Sequence, residues 1–182
     1  VLIWSYNGTS FALMGTLQVD YALAAALKVT DIDRDGDPDI VIAHSSGVTF
    51  AKSSYTTSLS FTTAMNASFA SLLDVVVADI DRDGYLDFLT TSTANPGKVN
   101  ITWGNGVGSF ATTGNTSLAT SCTVVNTLAV GDVDEDGRAD VVGGCSNDDV
   151  TVLSSTNFRS ATLTETVISI GSATVSPNRL WI

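Results

Sequence analysis

The sequence predicts an all-β protein assembled from four-stranded antiparallel units, and three observations lead there. A nine-residue acidic stretch recurs: residues 31–39 read DIDRDGDPD, 79–87 read DIDRDGYLD and 132–140 read DVDEDGRAD. Their starts lie 48 and 53 residues apart, close to the period of a four-stranded unit. Each stretch is preceded by a short apolar run (26–29, 75–77, 128–130) and followed by another (40–42, 88–89, 141–142). Such runs are β-branched, bounded by Gly, Ser and Asn, and too short for helices, so each acidic stretch joins two antiparallel strands.

Taken in order, the elements begin with strands at 1–4 and 10–13 around a turn at Asn7-Gly8, matching the third and fourth strands of a unit whose first half is missing. In the first full unit the acidic loop is followed by strands at 48–51 and 58–62, and in the second by strands at 99–103 and 109–112. The latter pair is joined by residues 104–108 (GNGVG), which accept positive φ. The expected organisation is a single β-repeat domain over 1–182: a partial unit 1–20, repeats at 21–65, 66–117 and 118–165, and the terminal strand of an incomplete repeat at 166–182. Both ends read as apolar strands lacking their own partners, so each should be covered by something.

Composition narrows the function. Of 182 residues 44% are hydrophobic, which suits a chain with a packed core. No apolar run reaches the length of a membrane span and no signal-peptide pattern is present. The chain opens on Val1 rather than Met, as expected where a leader has been removed or where the chain is cut from something larger. The net charge of −11, from 19 acids and 8 bases, makes nucleic acid an unsuitable partner. More than half of the acids fall in the three stretches, where they would repel one another without a cation.

In the pattern DxDxDGxxD the first, third and fifth carboxylates turn toward one centre, Gly permits the sharp turn, and the ninth-position Asp closes the shell. The expected ligands are Asp31, Asp33, Asp35 and Asp39; Asp79, Asp81, Asp83 and Asp87; and Asp132, Asp134, Asp136 and Asp140. Backbone carbonyls of Asp37, Tyr85 and Arg138 are the expected seventh-position donors. About three Ca2+ ions are implied, since hard oxygens in this number suit calcium, whereas magnesium seldom accepts an all-carboxylate protein cage. An EF-hand is excluded: position twelve is Ile42, Thr90 or Gly143 rather than an acid, and the flanks are strand-like.

These loops and flanking runs resemble the FG-GAP or VCBS-type repeats of integrin alpha-subunit propellers and related secreted proteins. Residues 103–110 (WGNGVGSF) resemble the family's Gly-rich turn ending in Phe, and residues 4–11 keep the same Trp-to-Phe spacing. The resemblance implies one β-propeller-like blade per repeat, calcium between the first two strands of each, and roles in adhesion, glycan binding or scaffolding. Three complete blades plus partial terminal strands fall short of a closed ring. The expected arrangement is completion by a neighbouring subunit, in a head-to-tail homo-oligomer or filament, completion by the rest of a longer chain, or an open array of units.

Cys122 and Cys145 flank the third acidic loop and are an even pair suited to an oxidising compartment, the alternative being two buried free thiols. Sequons at Asn7, Asn66, Asn100 and Asn115, expected at strand ends and turns, point to a glycosylated, secreted, extracellular protein. An enzyme is not expected: His44 is the one histidine and reads as structural, and no carboxylate pair is left free of the loops. The competing reading is a lectin-like module that stacks sugars on Trp4, Trp103, Trp181, Tyr21, Tyr55 or Tyr85, residues that otherwise fill the space between blades.

Overall fold

A computed structural model describes residues 1–17, 24–55, 59–68, 71–107, 110, 115–154, 156–160 and 163–170, with backbone alone at 55, 59, 63–68 and 160. Among these residues the protein is all-β, with one 3-10 turn at Phe158–Ser160 and no helix long and apolar enough to cross a membrane, which says nothing of a β-barrel. Strands β1 (Leu2–Tyr6) and β2 (Phe11–Thr16) form a hairpin. Three antiparallel sheets follow, each in plain sequence order. The first holds β3 (Ala24–Thr30), β4 (Asp39–His44), β5 (Gly47–Tyr55) and β6 (Leu59–Ser68). The second holds β7 (Leu72–Ala78), β8 (Asp87–Ser92), β9 (Lys98–Thr102) and β10 (Thr116–Ala119). The third holds β11 (Val125–Gly131), β12 (Asp140–Cys145), β13 (Asp149–Ser154) and β14 (Thr164–Ser169).

These are propeller-like blades: β7 lies between β3 and β11, so the first strand of each sheet faces its neighbour, and the described sheets do not close a ring. The pairing of each first strand with its second carries an irregularity at the same place, between Ala24 and Ala26, Leu72 and Asp74, and Val125 and Thr127. A bulge there raises the local twist in all three units alike.

Alternation along the second strands builds the core. In β4, Val41 and Ala43 face the second sheet, while Ile40 and Ile42 turn to the hairpin residues Val1, Ile3 and Leu17. In β8, Phe88 joins the cluster shared with the first sheet and Leu89 joins the one shared with the third. Burial on both faces explains why these runs are continuously apolar rather than alternating.

The fourth strand of the second unit lies later than expected, at Thr116–Ala119 rather than 109–112. Of the expected segment only Phe110 is described, making an isolated bridge to Gly104. The Gly-rich segment had drawn the expectation forward, because turn chemistry marks where a chain bends and not how far the excursion runs before pairing resumes. In the third unit β14 straddles the expected boundary at 165/166, and the terminal segment 171–182 lies outside the described residues.

Candidate metal centres

Each acidic loop joins the first two strands of its sheet: β3 to β4, β7 to β8, β11 to β12. The nine residues fold on themselves through their own carboxylates. At position one, Asp31, Asp79 and Asp132 each accept a hydrogen bond at Oδ2 from the position-six glycine, Gly36, Gly84 and Gly137, at 3.0, 2.9 and 2.8 Å. At position five, Asp35, Asp83 and Asp136 accept at Oδ1 from the N–H of Asp37, Tyr85 and Arg138. The glycines take φ of +93°, +86° and +80°, as the sharp turn requires. Position four is also left-handed, in Arg34, Arg82 and Glu135, and nothing in those residue types announces it.

The ninth-position aspartates play a second part. Asp39 accepts from Ile32 N (2.9 Å) and from Ser53 N on β5 (2.8 Å), and Asp87 accepts from Ile80 N (3.0 Å) and Gly104 N (2.8 Å). Asp140 accepts from Val133 N at 2.8 Å and Asp134 N at 3.4 Å. All three are buried, and they lock the loop to its sheet. Burial pushes the Asp87 carboxyl up to about 6 despite the two N–H donors that pull it down, and the nearby Asp81 and Asp83 add to the rise. Burial raises Asp39 in the same way, against the N–H groups of Ser53 and Ile32 and with help from Asp33 and Asp35.

Oxygens of Asp31, Asp33 and Asp39, of Asp79, Asp81 and Asp87, and of Asp132, Asp134 and Asp136 converge to within 4.8 Å in three groups, each of which could hold a metal ion. The third group draws on Asp136 rather than Asp140, and all three of its members are exposed. In the first two loops Asp31 Oδ1, Asp33 Oδ1 and Asp79 Oδ1 are buried with no hydrogen-bond partner. An ionised oxygen kept from water and from donors is costly unless a cation takes it, so these residues fit a divalent ion.

Cations of the chain itself reach the loops, and sequence reasoning missed them. Lys52 Nζ lies 3.1 Å from Asp33 Oδ2. Arg159, in the 3-10 turn of the third unit, holds Asp81 through Nε and Asp83 Oδ2 through Nη2 at 3.1 Å. Arg138 is 3.8 Å from Asp136 within its own loop.

Cys122 and Cys145 form a disulfide that ties the segment after β10 to the end of β12. His44 is buried at the β4–β5 turn, where Nδ1 accepts from Ser46 N and Nε2 meets Thr49 Oγ1 at 3.0 Å, a structural setting in which burial lowers its pKa. Asn7 is exposed in the hairpin turn and Asn115 is exposed just before β10. Asn100, expected near a strand end, is instead the central residue of β9, paired with Thr90 and Ser117 and half-buried, because the strand begins at Lys98. Asn66 lies within β6 opposite Thr49, with its side chain outside the description. Among the aromatics, Trp103 is 4% exposed and covered by Arg159, Trp4 and Tyr85 are exposed, and Tyr21, Trp181 and the Tyr55 side chain lie outside the described residues.

Three blade-like sheets, each with an acidic loop between its first two strands, define an all-β repeat protein. Residues 31–90 and 91–143, more than half of the chain, match the FG-GAP-like repeat, and the chain belongs to that family. The first match spans the first two acidic loops and the second spans the third. No curated protein sequence matches the chain.

Proposed function

We propose that this chain is a non-enzymatic, calcium-binding, N-glycosylated extracellular repeat module with a structural or adhesive role. The observation that carries the reading is the set of inward-facing, partnerless oxygens on Asp31, Asp33 and Asp79 within repeated carboxylate clusters. About three Ca2+ ions, one per loop, would offset part of the carboxylate charge and couple binding to folding. The disulfide supports an oxidising compartment, and the exposed Asn7 and Asn115 offer room for glycans.

The ends of the blade array support self-association. Leu2, Trp4, Tyr6, Phe11 and Leu13 are exposed on the hairpin, with Trp4 opposite Leu13 and Tyr6 opposite Phe11, so they share one apolar face on a two-stranded sheet. At the opposite end the far face of the third sheet opens a shallow cleft of about 340 Å³ that includes Val133, Val152, Thr166 and Ile168. Two different apolar surfaces on one chain make a heterologous, head-to-tail contact with a second copy. A glycan-binding reading draws on the exposed Trp4 and Tyr85.

Calcium titration followed by calorimetry and light scattering tests the proposal. The expected result is binding of about three ions, with a gain of about 2.7 kcal/mol for each site at a hundredfold excess over its Kd, and assemblies that fray under a chelator. Absence of calcium binding would overturn the metal reading. A monodisperse monomer in calcium would overturn self-association and pass the exposed hairpin to the rest of a longer chain or to a glycan.

A further inference from the structure

Cation contacts to the three loops are unequal. Lys52 touches one carboxylate of the first loop, from a strand of the same sheet, and also donates to Val107 O at 2.8 Å. At the third loop, Arg138 approaches Asp136 at 3.8 Å from two positions along the same loop. The second loop differs in kind. Arg159 belongs to the third unit, 78 residues from Asp81 and 76 from Asp83, yet its guanidinium takes both carboxylates at once. The same group lies 4.5 Å over the ring of Trp103, a buried residue of the second unit just past β9. A guanidinium fork on two carboxylates is among the stronger charge-assisted pairings, and the aromatic face below it adds a cation–π contact.

We infer that Arg159 weakens the second acidic loop as a calcium site and ties its filling to the contact between the second and third units. The inference rests on the calcium reading proposed above. Asp81 and Asp83 serve either a metal ion or the guanidinium at full strength, so an entering ion must displace a bidentate partner and accept a positive charge nearby. Filling the loop then loosens Arg159 from Asp81 and Asp83 and changes the surroundings of Trp103. The first loop faces a single ammonium and the third a distant side chain, so neither carries an equal penalty.

Terbium or calcium titration of the full chain with site-resolved analysis tests this, comparing the wild type with Arg159→Gln and Arg159→Lys. Arg159 is an exposed side chain on a turn, and far-UV circular dichroism checks that each variant keeps the fold. In Arg159→Gln one site should tighten about tenfold, a gain of about 1.4 kcal/mol, with the other two unchanged, and Arg159→Lys, which keeps the charge but loses the fork, should fall between the wild type and Arg159→Gln. In an Asp81→Asn, Asp83→Asn background, where both carboxylates that Arg159 holds are gone, Arg159→Gln should no longer change the affinity of any site. In a Trp4→Phe, Trp181→Phe background, calcium should change Trp103 fluorescence with Arg159 present and leave it unchanged in Arg159→Gln. Three wild-type sites that do not respond to Arg159→Gln, or a weaker second site in that variant, would overturn the role of Arg159 alone. A wild type that binds no calcium would instead sink the reading beneath it.

Discussion

The two junctions between blades solve one packing problem by different means. The first and second sheets meet through Phe50, Phe88 and Phe110, whose ring centroids lie 4.3 to 5.0 Å apart. Described polar ties across this junction are few: Lys52 donates to Val107 O, Ser71 N donates to Ser45 O at 2.9 Å, and Arg34 lies 5.1 Å over the Tyr85 ring. The second and third sheets meet through aliphatic side chains such as Leu89, Ile101, Val125 and Leu153, with Trp103 and Phe158 beside them. There the contact is supplemented by directional links. Asp74 on β7 accepts from Thr127 Oγ1 and Leu128 N, each at 2.9 Å, Glu165 accepts from Ser121, and the disulfide closes the joint covalently. Aromatic pairs add about 0.5–1.5 kcal/mol beyond the area they bury. A junction with three mutually packed rings can therefore do with few cross-links, and one lacking that ring cluster gains from hydrogen bonds and a disulfide.

Removing an aromatic ring from the first junction should have the largest effect on stability. Phe88 is fully buried against both of the others, its ring centroid 5.0 Å from each. Phe88→Ala should cost about 3–5 kcal/mol, measured by denaturant unfolding. Hydrogen exchange should rise first along β4, β5 and β8 while β12 and β13 keep their protection. Equal loss of protection in the third sheet would show that the junctions unfold as one cooperative unit and that the contrast has no energetic content.

Next in size is the covalent link. Cys122 and Cys145 are 23 residues apart, a closed loop for which chain entropy predicts about 3 kcal/mol. A Cys122→Ser, Cys145→Ser chain should lose that much stability, with the increase in exchange confined to the 121–145 segment and the strands it touches. A double variant as stable as the wild type would mean that Asp74, Glu165 and the aliphatic core suffice at this junction.

Much of this arrangement was legible in the sequence because the repeat is local. A loop of nine residues held by its own carboxylates and one glycine writes its structure into consecutive positions, so the inward-turned carboxylates Asp31, Asp79 and Asp132 and the turn glycines could be read directly. Flanking strands followed from β-branched runs for the same reason. What escaped was whatever depends on distance along the chain. Arg159 contacts a loop in another unit, and Asp74 meets β11 across a boundary; neither has a neighbour in sequence that marks it. The ninth-position carboxylates read as ligands, yet their hydrogen bonds to Ser53 and Gly104 depend on where the third strand of the sheet ends. The position of β10 escaped because the excursion after Phe110 carries no periodic signal.

The smallest expected effect separates the polar from the covalent part of the second junction. Glu165 Oε1 accepts from Ser121 N, Ser121 Oγ and Thr151 Oγ1 at 2.8 to 2.9 Å, binding β14 to β13 and to the segment beside Cys122. Burial pushes its carboxyl up, but the hydrogen bonds from Ser121 and Thr151 outweigh that and hold it below its ordinary 4.5. A depressed folded-state value means that the charged form is favoured by folding. Its contribution is therefore present above 4.5 and is lost as pH falls through the lower folded value. In the metal-free protein, Glu165→Gln should lower the melting temperature near neutrality and reduce the steepness of acid unfolding, because the variant has no proton to take up there. If the wild type and Glu165→Gln converge at neutral pH as well as in acid, the Ser121 contact contributes nothing, and the junction is held by its aliphatic core, Asp74 and the disulfide.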